Sequence, residues 1–353
     1  MKHERRHSVY SQHPPGSEII FRVPATDLTF VDRLIVSVSS LTIIGSVVWV
    51  PACIAWAWRR WKIVKDKRRK ALYAALAIAT SILLAVGPHR SPHFGKTLQV
   101  RKWRLWQAWL RFIAMEVISD TASNKRSIDV KEEKAILAFV PHGIFPFAFA
   151  FAALPDIAQS AAFGVFRPVV ASATALFPIV RDFLSWCAAI DASKSSVDNV
   201  LSKGERIGIV PGGIAEIFEG YPKPMTSPNE EYSIVRKGFL RMAIKHNLPV
   251  IPIYAFGATK MMKRLDLPLL ETISRWLRIS IVLFFGVWGL PIPFRQRLSY
   301  VIGRPIQPPS HGSGDEEQVR AMQDLFCQEL ERIFNRHKEA YGWGHKTLKL
   351  LKQ

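Results

Sequence analysis

The sequence predicts an α/β fold, a mostly parallel sheet flanked by helices, behind an N-terminal transmembrane segment or hairpin. Three observations carry this. A run of 25 uncharged residues, 34–58, stands between Arg33 and Arg59. Beyond residue 134, short apolar runs of strand type alternate with helical ones. Positive charge is crowded upstream: residues 1–111 hold 19 Lys and Arg against 5 Asp and Glu, and residues 112–353 hold 29 against 23. A basic excess beside the most apolar stretches points to membrane lipids. No nucleic-acid-binding motif accompanies it, so nucleic acid is not expected as a partner.

Length and composition set the outer limits. With 353 residues, 49% of them hydrophobic, the chain has enough apolar surface for a sizeable core, and a disordered or collagen-like chain is excluded. Cys53, Cys187 and Cys327 are odd in number and far apart, which excludes a disulfide framework and a structural zinc site and fits a reducing compartment.

Residues 1–33 read as a polar tail. At about 1.5 Å per residue the uncharged run makes a helix of roughly 37 Å, enough to cross a ~30 Å hydrocarbon core with tilt. Trp49, Trp56 and Trp58 stand in its second half, as interfacial aromatics do. Residues 59–70, RRWKIVKDKRRK, carry eight positive side chains and one negative, and the positive-inside rule places them in the cytosol. The next apolar run, 71–87, has only 17 residues, so 34–87 reads as one span or as a hairpin. Residues 88–134 combine an interfacial helix and a linker. Trp103, Trp106 and Leu110 share a face near Arg101, Lys102, Arg104 and Arg111, and the polar stretch 119–134 follows.

The folded domain is expected over 135–353. Residues 135–140, 167–171, 206–210, 250–256 and 298–302 read as buried strands. Helices are expected after Pro146, over 197–203 and over 237–247. A covering helix begins at a capping box, Ser313 with Glu316, and keeps an apolar stripe through Val319, Met322, Phe326, Leu330 and Ile333. The apolar run 279–294 reads either as a bilayer contact or as the lining of a lipid tunnel.

Strands that end in abrupt Pro/Gly turns are where α/β folds expose reactive groups. Two such turns stand out. One is Val140-Pro141-His142-Gly143, where glycine permits close approach of a substrate to the histidine. The other is Pro211-Gly212-Gly213-Ile214-Ala215-Glu216, whose glycine N–H groups suit an anionic oxygen. His89, His93, His246, His337 and His345 lie in polar or Pro-rich surroundings, and Cys187 in an apolar one. No nucleophile elbow, dinucleotide fingerprint, Walker loop or zinc-protease motif occurs.

These turns, together with RKGFLRMA (Arg236, Lys237, Gly238 and Phe239 onward), VIPIYAFG at 250–257, Gly-Arg-Pro-Ile at 303–306 and Trp-Gly-His at 343–345, resemble the type-2 diacylglycerol acyltransferase family. That family also holds monoacylglycerol and wax-alcohol acyltransferases. The likeness covers about residues 135–345 and implies a glycerolipid-acyltransferase-like fold. It implies an enzyme that moves an acyl group from acyl-CoA to the hydroxyl of diacylglycerol, at the endoplasmic reticulum membrane with the domain on the cytosolic side, or at a lipid droplet. A homo-oligomer stays open. The chain departs from the family at Val140, where animal members carry a further His, and at 111–120 (RFIAMEVISD), where a Tyr-Phe-Pro motif is expected. It also lacks the His-x4-Asp arrangement of phosphate-accepting glycerolipid acyltransferases, with Phe147 at the aspartate position.

The resemblance puts the catalytic histidine on His142 and its partner carboxylate on Glu216. Neutral His142 is expected to take the acceptor's proton while Glu216 holds the imidazole tautomer. The amides of Gly143, Gly212 and Gly213 are expected to receive the oxyanion, and Arg236, Lys237 and Arg241 the phosphates of coenzyme A. The thioester supplies the driving force, so no metal or cofactor is expected. A monoacylglycerol or wax-alcohol acyltransferase and a non-catalytic lipid-droplet protein are the alternatives.

Overall fold

Strands covered by helices on both faces must be apolar on both sides, and the continuous runs at 136–140 and 250–256 meet that demand with every residue buried. The computed structural model describes residues 13–85, 98–120, 134–172, 174, 178–219, 227–265, 267–277, 282–309 and 315–353. Its strands are β1 (Glu18–Arg22), β2 (Glu116–Ser119), β3 (Ile136–Val140), β4 (Arg167–Val170), β5 (Ile190–Asp191), β6 (Ile207–Ile209), β7 (Glu230–Val235), β8 (Val250–Phe256), β9 (Lys263–Arg264), β10 (Phe284–Phe285), β11 (Ser299–Ile302) and β12 (Thr347–Lys352). The helices are α1 (Phe30–Ser39), α2 (Ser46–Ile63), α3 (Lys67–Ala85), α4 (Leu105–Ile113), α5 (Phe147–Ala153), α6 (Asp156–Ala158), α7 (Pro178–Trp186), α8 (Lys194–Ser202), α9 (Gly213–Glu219), α10 (Gly238–Lys245), α11 (Pro268–Leu277) and α12 (Glu316–Tyr341).

Eight strands form one mixed sheet in the order β1-β2-β11-β8-β3-β6-β4-β5. Five of its seven pairings are parallel; β1 with β2 and β11 with β8 are antiparallel. A separate parallel pair joins β7 to β12, and β9 pairs with β10. Alternation along each central strand divides the core. Leu137 and Phe139 of β3, with Ile251 and Ile253 of β8, cluster with Phe147, Phe149 and Phe151 of α5. Ile136, Ala138 and Val140, with Tyr254 and Phe256, cluster instead with Phe326, Leu330, Ile333 and Phe334 of α12. The expected stripe of α12 is thus the one buried. Its cap is not Ser313, which lies outside the described residues; Asp315 accepts the Gln318 N–H at 2.9 Å.

The N-terminal third departs from expectation. The residues taken as a polar tail contribute β1, and those taken as linker contribute β2, so the sheet begins well before residue 135. The uncharged run 34–58 is not one straight helix. It breaks between Phe30–Ile44 and Ser46–Ile63 with a bend of 61°. Among the described residues no single helix is long and apolar enough to cross a membrane, although that bent pair passes together. The capping box of Thr29 and Asp32 starts α1, and Asp32 is then gripped by Arg111 of α4 at 2.5 and 3.2 Å. Removing the charge of a buried carboxylate's partner is costly, so this contact ties α1 to the domain.

Beyond the bend, α2 and α3 are joined by residues 64–66 and pack as a hairpin, with Trp56 edge-on to Tyr73 at 5.5 Å. The basic run 59–70 is the helical tip of that hairpin, not an extended linker. The helix expected on lipid headgroups is instead a core element. In α4, Trp106, Trp109, Leu110 and Phe112 are all buried, and Arg101 is 3% exposed, donating to Gln159 and to the Cys187 carbonyl at 2.6 and 2.8 Å. Buried chain partners for its tryptophans, which the sequence does not reveal, account for the difference.

Candidate active site

Parallel strands deliver the turns that follow them to one edge of a sheet. β3 is flanked by β6 and β8, with Ala138 opposite Ile209 and Val140 opposite Tyr254. The Pro141-His142-Gly143 turn, the Val210–Gly213 turn and the loop beginning at Gly257 therefore emerge side by side. Gly143 has a φ of +70°, and a Cβ there would sit 3.2 Å from the Ala258 carbonyl, so both its conformation and its neighbour call for glycine.

His142 is half-buried, and burial pushes its imidazole below the ordinary histidine value. Its Nδ1 lies 2.8 Å from the Gly143 carbonyl oxygen. A carbonyl only accepts, so the proton sits on Nδ1 and the lone pair on Nε2. The tautomer is thus set by the neighbouring backbone and not, as expected, by Glu216.

Glu216 does reach His142, but through the main chain. It is 3% exposed. Its Oε1 accepts the His142 N–H, and Oε2 accepts the Ser233 hydroxyl at 2.7 Å and the Ile234 N–H at 3.3 Å. Burial raises the carboxyl to about 7 against these hydrogen bonds, among them one from the Gly143 N–H. The side chain pins the His142 turn to β7. It acts as a positioning group, and Ser233 is a member of the site that no sequence pattern announces.

This geometry also revises the expected oxyanion donors. The Gly143 amide is turned toward Glu216, and the Gly213 amide bonds to the Val210 carbonyl at 3.2 Å. Gly212 has another role: a Cβ there would overlap Glu216 Oε2, so the missing side chain makes room for the carboxylate. Gly212→Ala is expected to displace Glu216 and lower stability by about 2 kcal/mol or more, measured as a lower melting temperature in detergent. An unchanged melting curve would contradict this packing.

The cations expected to meet coenzyme A stand at the start of α10. Arg236 is exposed, whereas Lys237 and Arg241 both hold Glu316, at 2.5 and 2.7 Å. These two hold the Glu316 carboxyl down to about 2. Three cations against one carboxylate leave the cluster net positive, with Lys237 and Arg241 sharing Glu316. Gly238 opens α10 and Phe239 is buried against Phe326 at 5.3 Å. Pro141 and Pro211 are buried in their turns.

A second buried cluster escaped sequence reasoning. Glu231 of β7 takes the Lys346 ammonium, that of Lys260 at 3.0 Å and the Thr259 hydroxyl at 2.7 Å. It fastens the loop that abuts Gly143, from partners far apart in the chain. Of the other described histidines, His13 lies 3.3 Å from Glu116, His246 bonds Asp198 at 2.6 Å, His337 is buried 3.4 Å from Asp120, and His345 is exposed. His89 and His93 lie outside the described residues. Among the described residues no group of acidic, His or Cys side chains could hold a metal ion.

Residues 72–352 match the family model described as diacylglycerol acyltransferase. Acyl-CoA wax alcohol acyltransferase 2 of Mus musculus is 27% identical over 263 residues, covering 69% of this chain and 75% of that protein. For 2-acylglycerol O-acyltransferase 1 of Mus musculus the identity is 28% over 272 residues, with 70% and 77% covered. For diacylglycerol O-acyltransferase 2 of Homo sapiens it is 24% over 265 residues, with 69% and 65% covered. Among solved structures, the 1-acyl-sn-glycerophosphate (LPA) acyltransferase PlsC from Thermotoga maritima matches with a TM-score of 0.39 and 14% identity, over 86% of this chain and 96% of that one.

Proposed function

Because the chain belongs to the diacylglycerol acyltransferase family and is an acyl-transferring enzyme, we propose that it moves a fatty acyl group from acyl-CoA to the hydroxyl of diacylglycerol, forming triacylglycerol. The observation that carries the chemistry is the Nδ1 contact of His142 with the Gly143 carbonyl. It leaves Nε2 unprotonated, and burial keeps the ring neutral near physiological pH. Nε2 then takes the acceptor's proton as its oxygen attacks the thioester carbonyl, and the thiolate of coenzyme A leaves. Glu216 supports this indirectly by fixing the main chain on which the ring stands. Arg236, with Lys237 and Arg241, receives the phosphates of coenzyme A.

The apolar setting of the site favours a lipid acceptor over a charged one. Phe147, Phe149 and Phe151 follow the His142 turn, all buried in one apolar cluster. We place the enzyme at the endoplasmic reticulum membrane or a lipid droplet, with the α2–α3 hairpin in contact with lipid and the sheet on the cytosolic side. The exposed Trp49, Trp56 and Trp58 of α2 suit a headgroup interface.

A second reading, acylation of a monoacylglycerol or a long-chain alcohol, has slightly higher identities behind it. Microsomes containing the protein, given labelled acyl-CoA with diacylglycerol, monoacylglycerol and a long-chain alcohol in competition, separate the readings. Triacylglycerol is the expected main product. A predominance of wax ester or diacylglycerol would transfer the assignment to the second reading.

A further inference from the structure

β7 braces the catalytic edge at two points. Glu231 and Ser233 stand two residues apart in the strand and so share its buried face. Ser233 bonds Glu216, which accepts the His142 N–H. Glu231 reaches the other neighbour of the His142 turn, the loop that opens at Gly257. It accepts the Thr259 hydroxyl at 2.7 Å and the Lys260 ammonium at 3.0 Å. Tyr254 lies within the field of both carboxylates: burial first, then the charges of Glu231 and Glu216, push its phenol well above the ordinary value. Tyr254 pairs with Val140, two residues before His142, so both braces stand beside the strand end that carries the imidazole.

Glu231 is 3% exposed, and one of its two cations comes from the far end of the chain. β12 runs parallel to β7 with Leu348 opposite Glu231, which brings in Lys346, itself 5% exposed, to donate to the carboxylate. The Trp343 ring lies 4.2 Å from the Lys346 ammonium and 6.0 Å from that of Lys260, within cation–π range of both. One buried carboxylate needs one cation, and Lys346 supplies it. The Thr259 and Lys260 contacts are additional to neutralisation. Both fall on the loop whose Ala258 carbonyl faces Gly143.

We propose that Glu231 is a positioning residue for acyl transfer: through Thr259 and Lys260 it seats Ala258 against Gly143, and so holds the Gly143 carbonyl that takes the His142 Nδ1–H. Glu216 then fixes the main chain at the His142 N–H, and Glu231 fixes the carbonyl that orients the ring. This rests on His142 as the base and adds the device that keeps its lone pair on Nε2. Through Lys346 the C-terminal strand becomes part of that device, although it lies far from His142 in the sequence.

Removing Glu231 itself would strand the buried Lys346 ammonium, so its loop partners make the sharper test. Thr259→Val combined with Lys260→Met frees the loop and leaves Glu231 and Lys346 as a balanced buried pair. The fold should survive, as a melting curve checks. Expected is a fall in kcat of about tenfold or more, since small displacements of catalytic groups carry losses up to ~10²-fold. KM for acyl-CoA should stay nearly unchanged, because no substrate contact is removed. A raised KM with kcat intact would make Lys260 a substrate ligand and overturn the positioning role. The decisive readout is magnetic resonance of isotope-labelled histidine, with the His142 signal identified by its loss in His142→Ala. The unaltered enzyme should carry the proton on Nδ1, and the double variant a mixture of Nδ1 and Nε2 forms. Thr259→Ser with Lys260→Arg keeps both donors and should restore the Nδ1 form and most of the rate. An unchanged tautomer in the folded double variant overturns the proposal whatever the rate. A tautomer that shifts while kcat holds upholds the brace and refutes instead the general-base reading, which His142→Ala tests by itself. Should the double variant not fold, Thr259→Val alone carries the same expected change of tautomer.

Discussion

His142→Ala is expected to lower acyl transfer by about 10²–10⁴-fold at equal protein level, the usual worth of a positioned general base. The loss should fall on kcat more than on KM, because the ring is held by backbone and its removal disturbs no substrate chain. Folding should be nearly untouched. The imidazole is half-buried, and its one hydrogen bond in the turn is to the carbonyl of the next residue. The pH profile gives an independent check. The base must be unprotonated, and burial holds its pKa below the ordinary histidine value of 6.5. Activity of the unaltered enzyme should therefore persist into mildly acidic solution, with its acid limb below 6.5. Activity of the alanine variant within threefold of wild type would refute the general-base role.

Glu216 carries the second large effect, and its sign differs between two substitutions. Glu216→Ala strips the acceptor from the His142 N–H, the Ser233 hydroxyl and the Ile234 N–H, which are buried at the junction of β3 and β7. Each unsatisfied buried donor costs about 1–3 kcal/mol, so a loss of about 3 kcal/mol or more is expected for the three, with activity falling because the His142 turn is released. Glu216→Gln keeps the shape and removes the charge: its oxygen can still accept the His142 N–H, its amide N–H can donate to Ser233, and only the long contact from the Ile234 N–H at 3.3 Å is given up.

The pH dependence follows from the raised carboxyl. Its pKa moves from 4.5 unfolded to about 7 folded, so the fold favours the protonated form. Stability from this group is greatest below pH 4.5, declines as pH rises toward 7, and is constant above. The span of that decline is about 3 kcal/mol. Glu216→Gln should remove it and melt at or above wild type at pH 8, while retaining most activity. An alanine variant as stable as wild type, or a glutamine variant with an undiminished pH slope, would show that the carboxylate does not brace the turn.

Much of the sheet could be read from the chain. The strands at 136–140, 207–209 and 250–256 fall within the expected runs because a strand covered on both faces has no choice but continuous apolar sequence. The helices α5, α8, α10 and α12 were likewise expected, from spacing and caps. The strands that escaped reading include β1 and the β7–β12 pair, which have an edge position or a lone partner, and β2, a four-residue run of mixed composition. Their pairing is decided by distant segments: β1 meets β2 across nearly a hundred residues, and β12 meets β7 across more than a hundred. The tryptophan-rich stretch before β2 has the pattern of a lipid-facing helix, and only its burial beneath α1 distinguishes the two cases.

Local pattern laid down the central strands and the two Pro/Gly turns that carry His142 and Glu216, since each depends on residues within a few positions of one another. Tertiary structure alone decided what those residues touch. Parallel pairing of β3 with β6 brings Glu216 to the backbone of His142, and the bend near Gly45 divides an apparent straight span into two helical segments. Local pattern encodes which face a residue presents, whereas a hydrogen bond between residues 74 positions apart exists only after strand order and register have been settled by the packing of the whole sheet.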